Sequence, residues 1–308
     1  MNSTCCAFEE PILDVVLPPI LLLEVILGFI GNCLGLWMIC LELKSWKPNS
    51  LYLFSLTMAD FVVLFCVLFR ADYYIRGKDW VYGDILCRLM LFTLSVCRCA
   101  GVIFLTVIAV DRYFKILHPF HRVNNITLKE AFVICGFLWS CSILLYCYLL
   151  TEPHFFKVNN KLQCESFNIC PKSFSGFAWH DIFFILMTTL SLAGIVYCTV
   201  CIYLHLKNNT IDTNGKVKRA MWFVLSIAVA FTVCYLPSTM VRVAIWILKL
   251  QRKEDCAYYR DSSLSFYITI CFTYFYSMIN PIVYYFSSTS FNGLFHRLWN
   301  RFFKGTQS

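Results

Sequence analysis

The ionisable side chains set deepest in the apolar stretches of this 308-residue sequence are Glu24, Asp60, Arg70, Arg98, Asp111, Arg112 and Arg242. Charge in an apolar surrounding is costly, so each is a candidate for function. Arg98 is the sharpest case. Its guanidinium keeps its proton and has donors but no acceptor, so it needs a carboxylate, backbone carbonyls or water opposite it. Inner acids are few: Asp60 lies deeper on the second apolar run, and Glu24 is on the first. A diffusible anion is the obvious missing counter-charge. Arg70 and Arg242 fall towards the outer half of the same region, where three guanidinium groups would focus a positive potential and attract anions. The planar fork of arginine suits a carboxylate, which it grips through two parallel bonds. The competing role for Arg70 and Arg242 is to snorkel towards the headgroups. Asp111 and Arg112, adjacent and followed by Tyr113, can form a neutral latch that a partner breaks.

The elements that must hold these groups are set by composition. AVILMFWYC make up 59% of the chain and charged residues 14%, and the mean hydropathy is +0.66. A water-facing surface cannot be built from this set, which excludes a soluble enzyme, and the abundance of aromatics excludes a disordered chain. No nucleophile elbow, HExxH pair or phosphate-binding glycine loop is present. Apolar runs long enough to cross about 30 Å of hydrocarbon are Leu17–Leu41, Leu51–Tyr74, Ile85–Phe114, Ala131–Leu150, Trp179–Leu206, Ala220–Leu248 and Ser263–Phe286. These are apolar on every face, so helices are expected rather than alternating barrel strands. The sequence thus predicts an all-α membrane protein: a tail over 1–16, a seven-helix bundle over 17–286 and a cytoplasmic segment over 287–308. That last segment alternates Phe291, Leu294, Phe295, Leu298, Trp299 and Phe302 with basic residues, as an amphipathic helix lying on membrane lipid would.

Orientation follows from Lys44, the first basic residue, just past the first span, with Lys47 behind it. The amino terminus is expected outside and the tail inside. Asn2-Ser3-Thr4 is then an accessible glycosylation sequon. Six of the 18 cysteines fall in outer segments: Cys5, Cys6, Cys87, Cys164, Cys170 and Cys256. They predict three bridges without assigning them, since six thiols allow 15 pairings. No cofactor or metal site is expected.

Several position-ordered motifs occupy the spans: Gly31-Asn32-Cys33, Leu56-x-x-x-Asp60, Asp111-Arg112-Tyr113, Trp139, Cys234-Tyr235-Leu236-Pro237 and Asn280-Pro281-Ile282-Val283-Tyr284. Together they resemble the rhodopsin-like (class A) G-protein-coupled receptors over essentially the whole chain. Cys5-Cys6, Phe69-Arg70-x-Asp72-Tyr73-Tyr74, Cys164-Glu165-Ser166-Phe167, Trp179-His180-Asp181, Arg242 and Phe272-Thr273-Tyr274 are similar to the hydroxycarboxylic acid receptors, and most like their lactate-binding branch.

The resemblance implies a receptor for small hydroxymonocarboxylates that couples to a Gi-type heterotrimeric G protein and lowers cAMP. It implies pairings Cys87–Cys164, Cys5–Cys170 and Cys6–Cys256. It assigns carboxylate anchoring to Arg98, outer contacts to Arg70 and Arg242, and pocket positions to Tyr74, Tyr235, Ser166, Tyr267, Thr269 and Tyr274. Activation would involve Asp60, Asp111, Arg112, Tyr113, Pro237, Asn280, Pro281 and Tyr284, with Lys216, Lys218 and Arg219 facing the G protein. Departures from the larger family include Tyr235 for its usual tryptophan, Gly101 for a serine, and a fifth span without proline. An oxidised fatty acid is the alternative ligand. A carboxylate transporter is the alternative class, disfavoured by the odd span count and the lack of an inverted repeat.

Overall fold

The computed structural model describes residues 11–41, 46–151, 154–158, 161–164, 177–208, 216–251 and 257–287. Within them the chain forms seven long helices: α1 (Pro11–Leu41), α2 (Pro48–Ile75), α3 (Gly83–Leu117), α4 (Leu128–Tyr146), α5 (Phe177–Asn208), α6 (Lys216–Leu250) and α7 (Ala257–Ser287). Each carries a stretch long and apolar enough to cross a membrane, as the composition requires. Asn2, Cys5, Cys6, Ser166, Cys170, Cys256 and the amphipathic segment over 288–308 lie outside the described residues.

The helices overrun the apolar runs. α1 begins at Pro11 rather than at residue 17, so the helix extends six residues ahead of the apolar run. Proline is tolerated at a helix start, where its missing N–H would be unpaired anyway. Leu13 and Leu17 are both buried, which extends the packed face past the point where hydropathy alone would end the span.

α3 is the central helix, packed against α2, α4, α5 and α6, while α1 leans on α2 and α7. Two large apolar cores and a smaller one around Tyr146 and Leu149 fill the bundle. One surrounds Leu56, Phe104, Phe223 and Phe231. The other surrounds Tyr73, Trp80, Leu91 and Ile270. Phe132, Val133, Phe137 and Leu144 of the peripheral α4 stay exposed, the pattern of a helix solvated by lipid. α4 starts on a capping box: the Thr127 hydroxyl accepts from the Glu130 N–H at 3.3 Å, and the Thr127 N–H donates to Glu130 Oε2 at 2.7 Å.

The seam between α1 and α7 is exceptionally close. Asn32 Nδ2 donates to the carbonyls of Gly28 and Ser277, each at 2.9 Å. A Cβ at Gly31 would lie 2.9 Å from Pro281 Cγ, so only glycine fits there. Asn280 Nδ2 donates to Asp60 Oδ2, tying α7 to α2.

One end of the bundle is roofed by an antiparallel hairpin of β1 (Phe155–Val158) and β2 (Lys161–Cys164), with Phe155 opposite Cys164. A disulfide joins Cys164 to Cys87 at the start of α3. The loop from α2 to α3 pairs with the same strand. Its Trp80 N–H donates to the Leu162 carbonyl at 2.6 Å, and Asp79 Oδ1 accepts from the Leu162 N–H at 2.9 Å. Gly77 holds a left-handed φ of 63° there, and a Cβ on it would strike Lys161 Nζ at 2.8 Å. At the other end, Asn124 Nδ2 donates to the carbonyls of His118 and Pro119, at 2.8 and 3.0 Å, and so shapes the turn that follows α3.

Candidate ligand site

Arg98 lies 11 residues along α3 from the bridged Cys87, or about 16 Å at 1.5 Å per residue, so the helix carries it well below the hairpin. Its side chain opens on a cavity framed by α2 to α7, with walls from Arg70, Ser95, Arg98, Tyr146, Phe184, Thr188, Arg242 and Tyr274, among others. The cavity measures about 30 Å³ on a scale where one water needs roughly 10–15 Å³. It is small and lies beneath the hairpin end.

The three arginines expected to converge do line this one cavity. None of the described carboxylates comes within 4 Å of the Arg98 guanidinium, whose Nε and Nη2 are buried without a hydrogen-bond partner among the described residues. Asp60 is engaged by Asn280 instead, and Glu24 keeps its own buried Oε2 unbonded among the described residues. Two rings face the Arg98 cation. Its Cζ lies 5.4 Å from the centre of Phe184 and 5.6 Å from that of Tyr274. Arg242 approaches the same Phe184 at 4.4 Å and Phe266 at 5.0 Å. Electron-rich ring faces are what let two like charges share a small space. Arg70 and Arg242 are buried rather than snorkelling, and Arg70 Nη1 donates to the Cys164 carbonyl at 2.9 Å. The hairpin strand and the cavity therefore share a side chain.

Not every expected pocket residue reaches the cavity. Tyr74 is buried edge-on to Tyr267, and Lys78 Nζ sits 4.3 Å over the Tyr267 ring. Tyr235 is stacked on Phe231 with centroids 4.7 Å apart, and the Thr269 hydroxyl donates to the Ser265 carbonyl at 2.8 Å. None of these four is part of the cavity wall. Conversely, Ser95, Tyr146, Phe184, Met187 and Thr188 line it without having been singled out by sequence. For Ser95 a signal existed, since it lies one helical turn from Arg98. Phe184 offered none.

At the far end, Asp111 Oδ2 accepts from Lys115 Nζ at 2.8 Å, so the acid of the expected latch bonds along its own helix to the residue four ahead. Arg112 reaches α6, with Cζ 5.5 Å from the Phe223 ring. Pro237 lies inside α6, between Arg242 and the exposed Lys218 and Arg219 at the beginning of that helix. The side chains of Lys216 and Tyr284 lie outside those described.

Seven apolar helices around a cationic cavity define an integral membrane protein. The family model described as 7 transmembrane receptor (rhodopsin family) matches residues 31–284. The chain is 43% identical to hydroxycarboxylic acid receptor 2 of Homo sapiens over 97% of its own length and 82% of that protein's. It is 40% identical to hydroxycarboxylic acid receptor 1 of Homo sapiens, covering 96% and 84% respectively. It is 31% identical to oxoeicosanoid receptor 1 of Homo sapiens, covering 94% and 74%. The chain belongs to the rhodopsin family of seven-transmembrane receptors and, within it, to the hydroxycarboxylic acid receptors. It is a multi-pass plasma-membrane receptor and not an enzyme. Receptors 1 and 2 lie within a few points of identity, so overall likeness defines the family rather than one member.

Proposed function

We propose that this receptor responds to small monocarboxylates, lactate-like hydroxy acids among them, with its amino terminus outside the cell. The anion binds Arg98, supported by Arg70 and Arg242. The observation that carries this reading is the Arg98 guanidinium, whose Nε and Nη2 are buried and unbonded among the described residues beside a cavity of about 30 Å³. So small a space favours an acid of few carbons. The named relatives include receptors for hydroxycarboxylic acids and for an oxoeicosanoid, so a longer oxidised fatty acid is the alternative.

The ligand acts through its unequal affinity for two helix arrangements. Proline removes one backbone hydrogen bond from a helix, so Pro237 gives α6 a point of bending between the cavity and the Lys218–Arg219 end. Asp60 of α2 with Asn280, Pro281 and Tyr284 of α7 would transmit the change between those two helices, and Asp111, Arg112 and Tyr113 along α3. The surface they move would receive a heterotrimeric G protein of the Gi type, lowering cAMP. Phe120, which is 99% exposed in the turn after α3, supports docking at this end.

The test is a cAMP-inhibition assay across straight-chain acids of increasing length, run in parallel with Arg98→Ala. Short acids should be the potent ones, and the substitution should raise their effective concentration at least about tenfold, the loss of a charge-assisted bond of roughly 1.5–3 kcal/mol. An unchanged response in Arg98→Ala would remove the anchor. Potency that climbs steadily with chain length would establish the fatty-acid reading instead.

A further inference from the structure

α3 offers the cavity one stripe of side chains at helical spacing: Leu91, Leu94, Ser95, Arg98, Cys99 and Val102. Ser95 is the hydroxyl of that stripe, one turn from Arg98. Helical side chains lean towards the amino-terminal end of their helix, so the long Arg98 side chain extends back over the turn that bears Ser95. The guanidinium and the serine hydroxyl therefore address the same small volume.

The other polar groups in the wall are largely engaged. Thr188 donates its hydroxyl to the Phe184 carbonyl and accepts from Thr239 at 3.4 Å. Tyr146 is also engaged with a neighbour. The Tyr274 ring lies under the Arg98 cation, at the carboxylate end of the site. Hydroxyl residues in these spans commonly donate to the carbonyl four residues back, as Thr106 does to Val102 at 2.9 Å. Ser95 does not: it makes no hydrogen bond among the described residues.

We infer that Ser95 is the specificity residue that recognises a second oxygen of the ligand, a hydroxyl or oxo group on a carbon close to the carboxylate held by Arg98. This rests on the carboxylate reading above and narrows it from short acids in general to hydroxy and oxo acids. The physical ground is an asymmetry. A cavity for plain alkyl acids would be served by another leucine at position 95, whereas a hydroxyl there is left unpaired by any ligand without a matching oxygen. Sites built to bond a ligand hydroxyl discriminate strongly against the analogue that lacks it.

The test compares 2-hydroxypropanoate, 2-oxopropanoate, 3-hydroxybutanoate and unsubstituted propanoate on the full-length receptor, the Ser95→Ala and Ser95→Thr variants, and Arg98→Ala, at matched surface expression. In the unaltered receptor at least one oxygenated acid should be more potent than propanoate. Ser95→Ala should cut that advantage about three- to tenfold, the loss of one hydrogen bond, with propanoate equally potent or more so, and Ser95→Thr should restore part of it. Alanine is a strong helix former, so α3 itself is not weakened. Equal shifts for all acids in Ser95→Ala, or no advantage of any oxygenated acid to begin with, would overturn the assignment. So would an advantage that survives Ser95→Ala but vanishes in Tyr274→Phe. If instead all acids act equally on Arg98→Ala and the unaltered receptor, it is the carboxylate anchor that has failed.

Discussion

At the scale of single residues, the site is a problem of holding positive charge in a dry place. Arg98 and Arg242 both approach the Phe184 ring, and Arg70 reaches the Cys164 carbonyl. Charge alone does not define the anchor. A lysine at position 98 keeps the cation but presents a compact ammonium in place of a planar fork. Arg98→Lys is therefore expected to recover only part of the potency lost in Arg98→Ala, as measured by dose response at equal receptor number. Full recovery would mean that point charge, not bidentate geometry, holds the ligand. The depth of Arg98 was legible in the sequence because the cost of an isolated guanidinium in an apolar run does not depend on knowing its neighbours. Phe184 was not. It sits in α5, which shows no apolar stripe, so no periodicity separates a ring approached by two cations from one facing lipid. Likeness to the family brought Tyr235 and Thr269 to the right neighbourhood, but stacking and backbone bonds draw those groups away from the cavity wall.

Elements are joined by contacts that tolerate little change. The hairpin is held by the Cys87–Cys164 bridge, by backbone bonds to the loop between α2 and α3, and by Arg70 from α2. Hydropathy located all seven helices but not their ends: α1 starts at Pro11, because buried Leu13 continues its packed face beyond the hydrocarbon-length run. The bridge between Cys87 and Cys164 came from the family likeness, since composition by itself left every pairing open. The seam of α1 and α7 carries its own prediction. At Gly31 an added methyl would meet the Pro281 ring at 2.9 Å, and a proline ring yields little. Overpacking of this kind typically costs about 1–3 kcal/mol. Gly31→Ala should lower the melting temperature of the detergent-solubilised receptor, read by a thiol-reactive dye or by light scattering. An unaltered melting temperature would show that the seam relaxes freely.

Across the whole molecule, α6 connects the two ends. It contributes Arg242 to the cavity and exposes Lys218 and Arg219 near its start, with Pro237 between them. The far end also presents Phe120, almost entirely exposed beside a turn braced by Asn124. A large ring left exposed by a hydrogen-bonded turn fits an apolar recess on a partner better than any role within the bundle. In the proposed coupling, Phe120→Ala should depress ligand-stimulated nucleotide exchange while leaving ligand affinity in G-protein-free membranes unchanged. Equal exchange rates would exclude that residue from the contact. The tight meeting of Gly31 and Pro281 has a consequence at the level of populations. An inherited variant placing any β-carbon at position 31 would act through quality control rather than pharmacology, because fewer chains would mature. Carriers would show a lowered ceiling of response, matched by a fall in the number of receptors at the cell surface.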